Sequence, residues 1–109
     1  MAVLVAPQDQ APGWIVQAGT DRNVVLTPLR PVVVPPGKAL QFWTKGSNWT
    51  GPVSLGLVAP GSTLRVALDK LPVTQADQLF EITLEPERGS ATGKPSGPVL
   101  FIGKTVKVM

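Results

Sequence analysis

One stretch limits what this chain can become more than any other. From Phe80 to Glu85 apolar and polar residues alternate strictly, with Phe80, Ile82 and Leu84 on one side and Glu81, Thr83 and Glu85 on the other. A period of two is the mark of a β-strand with one buried face. Pro86 cannot donate to a sheet ladder, so the strand is expected to end near Glu85. Gly, Ser, Thr, Lys and Pro fill the chain as far as Pro98, which reads as a long ordered loop, and Val99 to Ile102 returns as a strand. Strand, shaped loop and returning strand form a closing unit.

The rest of the chain repeats this grammar. Twelve prolines and eleven glycines lie between short apolar runs instead of gathering in one segment. That distribution favours many short strands joined by tight turns. Ala2 to Ala6 reads as a first or edge strand, Trp14 to Ala18 as a second, and Asn23 to Thr27 as its hairpin partner across the Gly19 to Asn23 turn. Leu29 to Val34 is an edge strand or an extended crossover, because Val32, Val33 and Val34 want extended geometry while Pro31 and Pro35 flank them. Ala39 to Lys45 follows, with Leu40 and Phe42 on one face and Trp43 on the other. Pro52 to Val58 places Val53, Leu55 and Leu57 inward, and Gly56 in mid-strand suggests a bulge or the close approach of another backbone. Leu64, Val66 and Leu68 alternate with Arg65, Ala67 and Asp69. Thr74 can cap a short helical turn, and Lys104 to Val108 either continues the last strand or forms another after Gly103.

Seven or eight short strands without a helix of normal length predict an all-β fold. The expected architecture is an antiparallel β-sandwich, Ig-like or similar, with a closed β-barrel as the alternative. At 109 residues and 43% apolar content the chain is expected to be a single domain, 1–109, with one core.

Chemistry is narrowed mainly by what the chain lacks. There is no His and no Cys. The usual general base, the usual catalytic triad, thiolate nucleophiles and the commonest metal ligands go with them. No catalytic, cofactor-binding or metal-binding residue is expected. The net charge is +3, but the basic residues are scattered from Arg22 to Lys107, so no nucleic-acid surface is expected. No run approaches the ~18 apolar residues of a membrane span, and Met1 to Ala6 lacks the basic flank and length of a signal peptide.

Four motifs carry candidate chemistry. Gly89-Ser-Ala-Thr-Gly93-Lys94 is one residue short of a phosphate loop and carries Pro95 where a hydroxyl is needed. Asn48-Trp-Thr50 matches a glycosylation acceptor and marks an exposed loop. Glu81 and Glu85 would stand about 13 Å apart along a strand, too far for a glycosidase pair; a solvated face explains them better. Glu85 has a structural use as well, since a carboxylate at a strand end can accept N–H bonds from the turn that follows. Trp14 and Trp43 sit within strands as packing residues, whereas Trp49 lies in a loop and is the best exposed aromatic contact.

Leu40-Gln-Phe-Trp43, Pro52-Val-Ser-Leu-Gly56, Phe80-Glu-Ile-Thr-Leu-Glu-Pro86, Gly89-Ser90 and Pro95-Ser-Gly-Pro-Val-Leu100 occur in that order. Together they resemble the C-terminal extracytoplasmic domain of anti-sigma-K-type factors, over roughly Ala39 to Gly103. The chain departs from the family pattern at Arg88-Gly89, where paired glycines are usual, and at Ser96, where Thr is usual. The resemblance implies a non-enzymatic sensory domain on the periplasmic side of a bacterial inner membrane. The full-length protein would cross that membrane once, through a helix absent from this chain. It would negatively regulate an extracytoplasmic-function sigma factor, which its missing N-terminal domain would bind and which regulated proteolysis would release. A regulatory protease or another extracytoplasmic protein is the further partner implied. Trp43, Trp49, Glu85, Pro86, Gly89, Ser90, Gly97 and Pro98 make up the expected structural or partner-contact motif. A carbohydrate- or cell-wall-binding module resting on Trp49 is the alternative, and a homodimer through Val32–Val34 or Ala2–Ala6 as edge strands is a third reading.

Overall fold

The computed structural model describes residues 1–18, 23–46, 49–67 and 78–105. Its strands are β1 (Ala2–Val5), β2 (Pro12–Ala18), β3 (Asn23–Pro28), β4 (Lys38–Lys45), β5 (Val53–Val58), β6 (Leu64–Ala67), β7 (Leu79–Pro86) and β8 (Val99–Lys104). All pair antiparallel in one sheet of order β5-β4-β7-β8-β1-β2-β3-β6.

One continuous sheet is a nearly closed barrel, and the two-layered sandwich is corrected to that alternative. A sandwich needs a break in the ladder, and none occurs: β4 is bonded to both β5 and β7, and β1 joins β8 to β2. The sheet curls with the help of irregularities at Leu4/Val5, Phe42/Trp43 and Ile82/Thr83, since a bulge bends its strand and increases the local twist. Eight strands enclose a space that side chains just fill. Here Leu4, Trp14, Val16, Val24, Leu26, Leu40, Phe42, Phe80 and Ile82 fill it. Phe42 and Phe80 stack with ring centroids 5.7 Å apart.

Three strand expectations change. Ala2 to Ala6 is no edge, because β1 is flanked on both sides by partners. Val32 to Val34 forms no strand and is the extended crossover; Val32 and Val34 pack against the core while Val33 is 92% exposed. The prolines explain it, since each removes a ladder donor at the end of a three-residue run. Both edge strands proposed for a homodimer are therefore absent. Leu57 points outward, 45% exposed, and Val58 is buried in its place. The bulge expected at Gly56 is the cause: Phe42 opposes Gly56 and Trp43 opposes Ser54, which leaves Leu55 as an extra residue and reverses the alternation beyond it.

β8 runs through Gly103 to Lys104. A side chain at Gly103 would lie 2.3 Å from the Val3 carbonyl oxygen, so the close approach of β1 requires glycine. The Gly19 turn, Leu68, Asp69, the Thr74 cap, Asn48 of the glycosylation triplet and residues 106–109 lie outside the described residues.

Candidate functional site

The outer face of β7 is where the structure departs most from a simple barrel. Glu81, Thr83 and Glu85 alternate away from the core as expected, yet all three are buried, Thr83 and Glu85 completely. On β4 their neighbours across the ladder are Trp43 beside Glu81, Gln41 beside Thr83 and Ala39 beside Glu85. Trp43 is also fully buried. The solvated-face reading of the glutamates is overturned: loop 87–98 folds back over Glu85, and Glu81 is buried between its ladder neighbours Trp43 and Ile102.

The loop is shaped by its own turn residues. Gly89 donates to the Pro86 carbonyl at 2.7 Å with φ 89°, a left-handed conformation that favours glycine. Ser90 then donates its N–H to Gln41 Oε1 at 2.9 Å, and Gln41 Nε2 donates to Ser54 Oγ at 2.7 Å, tying the loop through β4 to β5. At the tip, Ser90 Oγ contacts Thr92 Oγ1 and donates to the Lys94 carbonyl.

The return limb converges on Glu85. The N–H groups of Ser96 and Gly97 each donate to Oε2 at 3.1 Å, and Ser96 Oγ donates to Oε1 at 2.5 Å. From beneath, Thr83 Oγ1 donates to Oε2 at 2.6 Å while itself accepting from Trp43 Nε1 at 2.9 Å. Leu84 N–H closes the unit on the Pro98 carbonyl at 3.0 Å. Gly97 is sterically obligatory, since a side chain there would lie 1.6 Å from the Leu84 oxygen. The acceptor role expected of Glu85 is thus met by the loop's own amides.

Charge at this site follows from its donors. Burial pushes the Glu85 carboxyl upward, but hydrogen bonds from Ser96, Thr83 and Gly97 outweigh it and hold the group below its ordinary value. Four donors occupy about the four lone-pair sites a carboxylate offers. Three of these donors fall on Oε2 and one on Oε1, so the carboxylate is committed to the loop and to Thr83. Glu81, four residues back, is raised by burial.

Of the residues singled out in the sequence, Trp43, Glu85, Pro86, Gly89, Ser90, Gly97 and Pro98 belong to this one assembly. Pro86 and Pro98 are exposed at its rim. Trp49 is separate: it follows the far end of β4, half-buried, with its indole against Gly46, so close that a side chain on Gly46 would lie 2.6 Å from Nε1. Thr83, Gln41, Ser54 and Ser96 carry the network as well, and sequence reasoning did not single them out. The signal was available for Thr83, which stands between Trp43's strand and Glu85 in the alternation.

The family model described as anti-sigma-K factor RskA, C-terminal, matches residues 1–99, which span β1 to β7 and the whole loop. The chain belongs to this family. Neither the curated proteins nor the solved structures compared with it give a match. The RskA family is one of anti-sigma factor domains, generally non-catalytic, and it implies a sigma factor partner for the full-length protein. Among the described residues, no helix is long and apolar enough to cross a membrane.

Proposed function

We propose that this chain is the extracytoplasmic regulatory domain of a membrane-anchored anti-sigma factor, and that it works by contact and not by catalysis. The family match over residues 1–99 carries the reading. The site chemistry supports it, because the buried carboxylate is spent on holding a loop. The position of β1 fits a guarding role. A polypeptide preceding residue 1 would enter a strand bonded on both sides, to β2 and to β8, so the barrel shields the start of the domain from a protease that needs an extended substrate. Binding of the sigma factor belongs to a separate N-terminal part of the full-length protein.

The test is calorimetric titration of this chain, and of the full-length protein, with the cognate sigma factor. The full-length protein is expected to bind and this chain to give no heat of binding. Binding by this chain at micromolar Kd or tighter would overturn the division of labour.

A further inference from the structure

Loop 87–98 is joined to the barrel by polar ties, and the apolar core lies on the opposite side of the sheet. Residues 91–94, Ser96 and Pro98 are exposed. Gly89 and Gly97 stand at its two limbs, and between them the Ser90, Thr92 and Lys94 bonds hold the tip together independently of the barrel. A self-held tip between two glycine limbs, fixed mainly at one carboxylate, has the parts of a hinged lid. We infer that loop 87–98 is a lid latched by the Glu85 carboxylate, and that removing this charge releases it as a unit and uncovers Glu85 and Thr83 while the barrel stays folded.

The latch is local because its members are few. Glu81 is the titratable neighbour on the same strand face; β4 presents Ala39, Gln41 and Trp43, none of which titrates. The charged residues nearby, Lys38, Glu87, Arg88 and Lys94, are all exposed. The donors on Glu85 are hydroxyls and amides, three of the four from two residues of the loop. An amide in place of the carboxylate has one acceptor oxygen, so Glu85→Gln retains the shape and loses the convergence. The inference goes beyond the regulatory reading and does not depend on it.

Native-state amide exchange by NMR at neutral pH tests it. In Glu85→Gln, the amides of Leu84, Ser90, Ser96 and Gly97 are expected to exchange about 10- to 100-fold faster, from the net loss of about one bond to a charged acceptor. The ladder amides of Val16 and Val24 are expected to change at least about tenfold less. Ser96→Ala, which removes one donor, is expected to give a smaller change in the same four amides. Equal acceleration of lid and barrel amides, or none at the lid, would overturn the inference. Should Glu85→Gln fail to fold, the same comparison in Ser96→Ala decides.

Discussion

Replacing Thr83 with Val alters one oxygen and almost nothing of the shape, yet that oxygen joins two buried groups. Trp43 Nε1 loses its acceptor at 2.9 Å, and Glu85 loses a donor at 2.6 Å. A buried donor left without a partner costs about 1–3 kcal/mol, and a hydrogen bond to a charged group contributes about 1.5–3 kcal/mol. Together these give a destabilisation of roughly 3–5 kcal/mol, a large share of the ~5–15 kcal/mol expected of a domain. Urea unfolding followed by tryptophan fluorescence reads it directly. With a slope of about 1–3 kcal/mol per molar, the midpoint is expected to fall by roughly 2 M. Thr83→Ser keeps the hydroxyl and is expected to recover most of the loss. A double-mutant cycle with Trp43→Phe should show coupling of about 1 kcal/mol or more. If Thr83→Val costs less than about 1 kcal/mol, or if Thr83→Ser costs as much as Val, the hydroxyl relay does not hold this face together.

Gly97→Ala is expected to cost about 3 kcal/mol or to displace the loop, because its side chain would sit 1.6 Å from the Leu84 oxygen; a thermal midpoint within 2 °C or so of the parent would argue against that fit. Trp14→Phe is expected to change stability by less than about 1.5 kcal/mol, since the buried Trp14 Nε1 has no acceptor among the described residues and its loss offsets part of the cavity; urea midpoints beside Trp43→Phe, which should cost more, check it. The two buried glutamates respond to acid with opposite signs. Glu85, held low, contributes stability above the ordinary carboxylate value that is lost as pH falls through its folded pKa. Glu81, raised by burial, is a penalty at neutral pH that disappears on acidification, so Glu81→Gln is expected to raise the urea midpoint at pH 7 and to have no effect in acid.

What could be read from the residues was local, and what could not was set by distant pairing. β7 was legible because six residues of strict alternation end at a proline. The role of Glu85 followed from its place before a glycine-rich turn. The all-β class was legible and the barrel was one of its two readings; choosing between them was not possible locally, because a sandwich and a barrel share the same strands and differ in whether β4 reaches β7 and β1 reaches β8. Glu81 and Glu85 read as solvated for a related reason: a buried polar residue and one facing water leave the same alternation. Val32 to Val34 showed two preferences in conflict, β-branched side chains asking for extension and prolines denying a ladder. Gly56 marks an irregularity in the sequence, but the reversal of phase at Leu57 depends on which β4 residue it opposes, which only the pairing sets.

The bonding of Val5 to Ile102 has a consequence for how the chain acquires its shape. Bringing together two residues separated by nearly the whole polypeptide costs about 4 kcal/mol in loop-closure entropy. The first strand made is therefore among the last to be completed, and it waits for the final strand to appear. A topology so dominated by remote partners folds slowly, in milliseconds to seconds. The seam between β1 and β8 therefore closes late, and the barrel stays open until β8 is in place.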